Sequence, residues 1–193
     1  MQEPLAEFVE AIAPHLKKVS KHFVADPRLN GGAVFRIYRD VRFSKDKSPY
    51  KTHGAVQFRH ALGKDAHAPG FYVHLATDEV FYGGGIWMPP SPALLAIRER
   101  IRDKGSAWRK ATGGAAFTKR FGGVHGDSLT RPPKGFDKDD PMIEDLKRKS
   151  FVAMAEGTPA ATRMASFCQD VAGAMKGAAP MMKFLCDALE VPF

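Results

Sequence analysis

Residues 70–87 read GFYVHLATDEVFYGGGIW, and this stretch decides the fold. Apolar residues alternate with others over residues 71–75, which is the period of a strand with one buried face. Asp78 marks a break, and the residues after it are again rich in aromatic and β-branched side chains. The sequence therefore predicts two successive strands, at about 70–76 and 79–87.

Similar segments lie on both sides of this pair. Residues 33–43 and 54–62 are rich in β-branched and aromatic residues, and each predicts a further strand. Residues 151–154 form one more short strand candidate. Three or four strands in succession are typical of an antiparallel meander.

Helical periodicity lies mainly outside these strands. From Leu5 to Val19 apolar residues recur every three or four positions, which predicts a helix that Pro14 kinks or splits. A polar capping residue directly before a proline predicts a helix start. Such pairs occur at Ser91, Asp140 and Thr158. Gly105 is expected to end the helix that starts at the first of them.

The distribution of these elements predicts the fold class. Strands fall in the first half of the chain and helices mostly in the second, which favours an α+β fold over alternating βαβ units. With 193 residues the chain has the length of one domain. We predict a mostly antiparallel sheet packed against helices in a single domain, 1–193. The sheet region spans about 33–155, and a C-terminal helical region spans about 158–190.

The composition is that of a globular protein, with 44% hydrophobic and 26% charged residues. No apolar run approaches the roughly 18 residues of a membrane span, and the first residues do not resemble a signal peptide. These features predict a cytoplasmic protein without membrane contact. Cys168 and Cys186 lie at helical apolar spacing, so we expect core thiols in a reducing compartment.

The net charge of +8, with a pI near 9.6, will attract anions such as nucleic acid or phosphorylated metabolites. The charge is concentrated in one segment. Residues 36–51 hold six cations and two carboxylates, a local charge of +4 and half of the total. This segment is the strongest candidate for a functional site.

Arg39 carries the argument for this site. In a strand over residues 33–43 it shares a face with Ile37 and Val41, and a guanidinium among apolar neighbours costs several kcal/mol to desolvate unless it is paired. The partner is either a protein carboxylate or a ligand. In the first case Asp40, Asp46 and Asp137 form a salt-bridge lattice. In the second, arginines together with Lys47 and Tyr50 grip a phosphate or carboxylate.

The motif RxxRDxRF at 36–43, followed by DKxxY at 46–50, resembles the signature of the domain of unknown function 2461 family. This family is found in bacteria and within longer fungal proteins. Supporting similarities lie at 70–75, 85–89, 97–98 and 129–137, and cover most of the chain from about 34 to 155. The resemblance implies no activity, because the function of the family is unknown. Members typically carry additional N-terminal residues, so either the start is shortened here or the fold tolerates their loss. If the missing piece normally covers the arginine segment, this segment is more open here than in relatives.

The motif LxRxPKGFD at 129–137 adds Arg131, Lys134 and Asp137. We predict that at least one of these three contacts the side chains of residues 36–50, because buried charges need partners that local residues only partly supply. The candidate anion-binding residues are therefore Arg36, Arg39, Asp40, Arg42, Lys47, Tyr50, Arg131 and Lys134.

Other chemistries have weaker signals. The glycines at 83–85 lack the Gly-Lys-Ser/Thr ending of a phosphate loop, so we expect a glycine bulge that lets another backbone, or Trp87, approach closely. Four histidines, at 53, 60, 67 and 74, fall seven residues apart, a spacing that we interpret as accidental. Metal-ligand and nucleophile motifs are absent from the sequence, so we predict neither a metal nor a cofactor and assign no catalytic residue.

The preferred hypothesis is binding of a phosphate-bearing ligand in an arginine-lined basic pocket, with hydrolase or transferase chemistry left open. One alternative is a nucleic-acid or protein interaction module that uses the same basic face. The other is a structural ion-pair core without a ligand. The sequence decides neither whether the protein is an enzyme nor its oligomeric state.

Overall fold

The computed structural model describes residues 2–43, 45, 47–63 and 68–193. Asp46 and His67, which enter the sequence argument, lie outside these ranges. The helices are α1 (Gln2–Val19), α2 (Ser91–Asp103), α3 (Gly105–Thr112), α4 (Ala115–Phe121), α5 (Ile143–Leu146) and α6 (Phe167–Ala188). The strands are β1 (Gly54–Arg59), β2 (Gly70–Leu75), β3 (Val80–Ile86) and β4 (Phe151–Gly157). Together they confirm the α+β class.

The four strands form one antiparallel sheet in the order β1-β2-β3-β4. The quoted stretch supplies its central hairpin, in which Gly70 pairs with Gly85 and Leu75 with Val80. The turn is closed by the Ala76 N–H, which donates to the Glu79 carbonyl at 2.8 Å. Helices α2 to α5 separate β3 from β4 in the chain. β4 then pairs antiparallel with the edge of β3 opposite β2. The meander predicted from sequence is therefore confirmed.

Helices α6 and α1 cover one face of the sheet and form the core with it. The sheet contributes alternate residues such as Phe58, Phe71 and Val73, all fully buried. The helices contribute their apolar stripes. Fully buried helix residues include Val9, Ile12, Leu16, Val171, Met181, Met182 and Leu185. Each such side chain stabilises the fold by about 1.5–3 kcal/mol relative to exposure, so this interface holds the two layers together.

The segment 33–43 is not the single strand that the sequence predicts. Val34 bridges Val56 of β1, but Tyr38 bridges Tyr50. Between these bridges, three residues on one side (35–37) face five on the other (51–55), and the two extra residues interrupt the ladder as a bulge does. The segment consequently leaves β1 and folds back on itself. We call residues 36–51 the basic hairpin.

The helix boundaries partly confirm the capping signals. Ser91 is the first residue of α2 rather than its cap, because Pro90 takes the extended cap position with φ −59° and ψ 154°. Asp140 accepts a hydrogen bond from the Met142 N–H at 2.7 Å, just before α5. Thr158 caps only a 3-10 turn at Ala161–Arg163, and α6 begins later.

The helix ends elsewhere follow the sequence more closely. Helix α1 continues through Pro14 rather than splitting there. Helix α2 ends at Asp103 and α3 begins at Gly105, as that glycine predicts. Among the helices of the described residues, none is both long and apolar enough to cross a membrane.

Candidate functional site

The second face of the sheet, opposite α6 and α1, is where the candidate site lies. Because side chains alternate along a strand, this face receives the residues that the core does not use. They are Gln57 and Arg59 of β1, Tyr72 and His74 of β2, Phe81 of β3, and Val152 and Met154 of β4. Several are aromatic, so this face offers stacking surfaces rather than an ordinary polar exterior.

A cavity of about 390 Å³ opens on this face. Its floor is low because Gly70 and Gly85, which pair with each other across β2 and β3, carry no side chains. The side chains around this floor rise as walls. The lining residues are Phe35, Gln57, Ala68, Tyr72, Phe81, Trp87, Val152 and Met154.

The glycines of β3 also meet the backbone of β4. An added Cβ at Gly83 would overlap the Ala153 carbonyl oxygen, and one at Gly85 would overlap the Phe151 carbonyl oxygen. Gly85 further adopts a φ of +156°. The prediction of a close backbone approach is confirmed at Gly83 and Gly85, whereas an added Cβ at Gly84 would meet the side chains of Phe71 and Met182. Gly85 also lines the cavity.

Two cations lie at the edge of the cavity, beside Phe35. The Phe35 ring packs edge-on against Tyr72, with the ring centroids 6.2 Å apart. The Lys51 ammonium lies 5.3 Å from the centre of the Phe35 ring, and the Arg59 guanidinium lies 5.9 Å from it. Burial lowers the pKa of Lys51, and the positive charge of Arg36 lowers it further. Positive charge is thus concentrated, and partly desolvated, at one edge of an apolar cavity.

A histidine cluster adjoins the same aromatic wall. The His74 ring stacks on Phe81 at 4.6 Å between centroids, and His53 stacks on His74 at 4.5 Å. The His74 Nδ1 lies 3.2 Å from the Tyr72 hydroxyl, and its Nε2 lies 3.4 Å from a Glu79 carboxylate oxygen. Carboxylate, imidazole and phenol therefore lie next to one another on this face.

Two groups of this cluster have displaced pKa values. Burial lowers the pKa of His53, and the neighbouring His74 and Lys51 lower it further, so the neutral imidazole is favoured. Burial raises the pKa of Tyr72, and Glu79 adds to this, so its hydroxyl keeps the proton. Both shifts follow from the low polarity of this face.

Comparison with models of protein families matches residues 1–184 to a family described as conserved hypothetical protein (DUF2461). The chain belongs to the DUF2461 family. The comparisons with curated proteins and with solved structures found no match. The family description states no activity, so function must be argued from the site.

The motif RxxRDxRF at 36–43 forms part of the basic hairpin. Arg42 pairs with Asp40, its Nη2 lying 2.7 Å and its Nε 2.9 Å from the two carboxylate oxygens. The Arg42 side chain, through these bonds, lowers the pKa of Asp40. Lys47 donates from Nζ to the Val41 carbonyl at 2.9 Å. The Arg42–Asp40 pair is a local neutralisation of the kind that the salt-bridge alternative predicts.

Arg39 is not the covered side chain on an apolar strand face that the sequence predicts. Its backbone N–H donates to the Pro49 carbonyl at 2.9 Å, but its side chain is exposed. The reason is the early end of the ladder with β1, which leaves Arg39 on a projecting hairpin instead of a covered sheet face. The desolvation argument for Arg39 is therefore wrong, while its participation in anion binding remains a prediction.

Arg131 and Lys134 are exposed in the loop between α4 and α5 of this DUF2461 protein. The loop is anchored where the Leu129 N–H donates to the Lys147 carbonyl at 2.9 Å. Asp137 accepts from the Asp139 N–H at 2.9 Å within the same loop. Contact of these three residues with the basic hairpin stays a prediction.

Sequence reasoning missed most of the cavity. The signal was present in the alternation of β2, where Tyr72 and His74 fall between the apolar core positions. The spacing of His53 and His74 was interpreted as accidental, yet the two rings meet because Gly54 pairs with Leu75 in the sheet. Within the described ranges, three or more His, Cys, Asp or Glu side chains nowhere come together to hold a metal ion.

Proposed function

We propose that this protein binds a small ligand that carries a phosphate group and a flat apolar body. The apolar body lies in the cavity between Phe35, Tyr72 and Phe81, and the phosphate lies against Lys51 and Arg59. The observation that carries the proposal is the position of these two cations over Phe35, which itself lines the apolar cavity.

The size and surface of the cavity support a ring-bearing small molecule. Small-molecule sites typically measure about 300–1,000 Å³ and combine apolar walls with a few polar groups. At about 390 Å³ this cavity is at the lower end of that range. Removing its aromatic surface from water would contribute about 25 cal/mol for each Å² covered. A flat ring would bury the walls better than a flexible chain, because aromatic rings prefer offset or edge contacts with one another.

The charge distribution supports an anion. Lys51 is partly desolvated and repelled by Arg36, which is why its pKa is lowered. A bound phosphate reverses both effects, since it attracts the ammonium and accepts hydrogen bonds from it. Arginine adds a planar fork that suits phosphate oxygens. Arg36 thus keeps the anion-binding role predicted from the local charge, while Lys51 and Arg59 extend the site toward the sheet.

The location is proposed to be the cytoplasm. Cys168 and Cys186 are free thiols, and burial raises the pKa of both. Free thiols, partly buried at Cys168 and buried at Cys186, suit a reducing compartment.

The proposal is tested with a pair of dyes that differ in charge. Anilinonaphthalene sulfonate has an aromatic body and an anionic group, whereas N-phenylnaphthylamine has a similar body without the charge. We expect the anionic dye to bind more tightly and phenyl phosphate to displace it better than phenol does. Trp87, which lines the cavity and is 51% exposed, provides a second fluorescence signal.

Lys51→Met should weaken binding of the anionic dye by roughly tenfold, the equivalent of about 1.4 kcal/mol for one charge-assisted hydrogen bond. The same change should leave the neutral dye almost unaffected. Lys110→Met is the matched control, because it removes the same charge from an exposed position on α3. If Lys51→Met changes the two dyes equally, or neither of them, the cavity is not an anion site and the proposal fails.

A further inference from the structure

The basic hairpin has two faces, and the proposed cavity uses only one of them. Phe35 and Lys51 point toward the sheet, where they border the cavity. Side chains alternate along extended backbone, so Tyr38 and Tyr50 lie on the opposite, outward side. Their exposed fractions of 58% and 55% confirm this orientation.

The backbone holds these two tyrosines side by side. The Arg39 N–H donates to the Pro49 carbonyl, and the Lys51 N–H donates to the Ile37 carbonyl. Bonds in this arrangement flank Tyr38 and Tyr50 as a non-hydrogen-bonded antiparallel pair, in which opposite side chains approach most closely. The two rings are 5.7 Å apart between centroids and tilted by 35°. They form a small aromatic platform fixed by secondary structure.

A third aromatic ring lies farther along the hairpin. Phe43 is 96% exposed, and the Arg42 guanidinium lies 5.9 Å from its ring centre. From Tyr38 to Phe43 the chain spans at most about 16–18 Å, so the third ring lies within that distance of the tyrosine pair along the hairpin. Lys51 borders the cavity, and the five other cations of residues 36–51 alternate in sequence with these rings and outnumber the two carboxylates.

We infer that this outward face binds single-stranded nucleic acid. Unpaired bases stack on Tyr38, Tyr50 and Phe43, and the phosphates between them contact the arginines and lysines of the hairpin. Aromatic side chains interleaved with cations are the arrangement by which proteins bind single strands without strict sequence preference. The net charge of +8 draws the strand toward the protein.

The same surface fits other polyanions less well. A base pair in a duplex is stacked on its neighbours, so its flat face is not available to an exposed tyrosine. A membrane-inserting loop needs a group of apolar side chains at its tip, but the sequence RFSKDKS at 42–48 contains one, Phe43. Both polyanions serve as comparisons in the test.

Binding is measured on the full chain by fluorescence anisotropy, with a labelled oligothymidylate of about 12 nucleotides, a length within the range that aromatic-lined single-strand sites cover. The comparisons are a duplex of the same length and vesicles of phosphatidylcholine with phosphatidylserine. We expect the single strand to bind most tightly. Its affinity should fall linearly with the logarithm of the salt concentration.

The decisive variants replace the rings without removing apolar character. Tyr38→Leu and Tyr50→Leu should each weaken the single strand by roughly 5- to 150-fold, which corresponds to about 1–3 kcal/mol for one stacked base. Tyr38→Phe and Tyr50→Phe keep the rings and should retain affinity. Lys45→Gln should lower the salt slope by about 0.7, the value for one phosphate contact on a single strand.

Each outcome decides the inference. Retained single-strand affinity in both leucine variants would overturn it, as would tighter binding to the vesicles or the duplex. An unchanged melting temperature shows that a leucine variant is folded, since both tyrosines are exposed. Binding of anilinonaphthalene sulfonate should also be unchanged in these variants, because the cavity uses the other face of the hairpin. The nucleic-acid measurement therefore tests this inference independently of the proposed function, which the dye measurement tests.

Discussion

His53 connects the basic hairpin to β1 and stacks on His74. Burial is the largest cause of its lowered pKa, and the charges of His74 and Lys51 add to it. The unfolded chain, in which these causes are absent, therefore binds a proton more readily than the folded chain does. At the level of single residues, titration of His53 therefore affects stability with a definite sign.

We expect the free energy of unfolding to rise as pH increases toward the ordinary histidine pKa of about 6.5 and to lose this dependence above it. His53→Phe keeps a ring over His74 but removes the titration. The measurement is urea unfolding of both proteins across this pH range. As pH falls, the free energy of unfolding of the unmodified protein should decrease relative to that of His53→Phe. A difference between the two proteins that does not change with pH would contradict the assignment.

At the scale of the element, β3 depends on its glycines. Gly83 faces β4 so closely that an added Cβ would overlap the Ala153 carbonyl oxygen, a backbone atom that cannot move without disturbing the ladder. Gly83→Ala should lower the free energy of unfolding by about 1–3 kcal/mol, the usual cost of overpacking. Denaturant unfolding measures this loss.

The matched control is Gly173→Ala on the exposed side of α6. The nearest atom to an added Cβ there is the Arg120 Nη2 at 3.9 Å, which is an ordinary contact. Because alanine restricts the unfolded chain more than glycine does, this change should stabilise the protein by about 0.5–1 kcal/mol. Two glycine-to-alanine changes of opposite sign would show that close approach of β4, rather than glycine loss in general, determines the result at Gly83.

At the scale of the whole molecule, a net charge of +8 destabilises the compact state through repulsion, and a bound anion relieves it. We expect the melting temperature to rise more with phosphate than with chloride at equal ionic strength. Phosphate also stabilises proteins by exclusion from their surface, so Lys51→Met is needed as a comparison. The phosphate advantage should shrink in that variant. Equal advantages in both proteins would favour the structural ion-pair alternative for the basic hairpin.

The sequence by itself determined the class of fold and the place of most elements. Alternation over residues 71–75 and helical spacing over 5–19 are local properties, and each survives into the structure as β2 and α1. The family was also recognisable without coordinates, and the match over residues 1–184 confirms it. These features needed no knowledge of distant contacts, because backbone period and residue type are set by neighbours along the chain.

Only the tertiary structure decided what Arg39 and the cavity are. The end of the ladder after Val34 depends on how residues 49–56 are spaced opposite it, and this mismatch leaves Arg39 exposed. The cavity depends on Gly70 and Gly85 meeting across two strands, and on Lys51 and Arg59 meeting over Phe35. Such meetings are set by strand register, which brings residues far apart in sequence to within a few ångströms. A sequence pattern shows which side chains share a face, but packing decides which of them share a site.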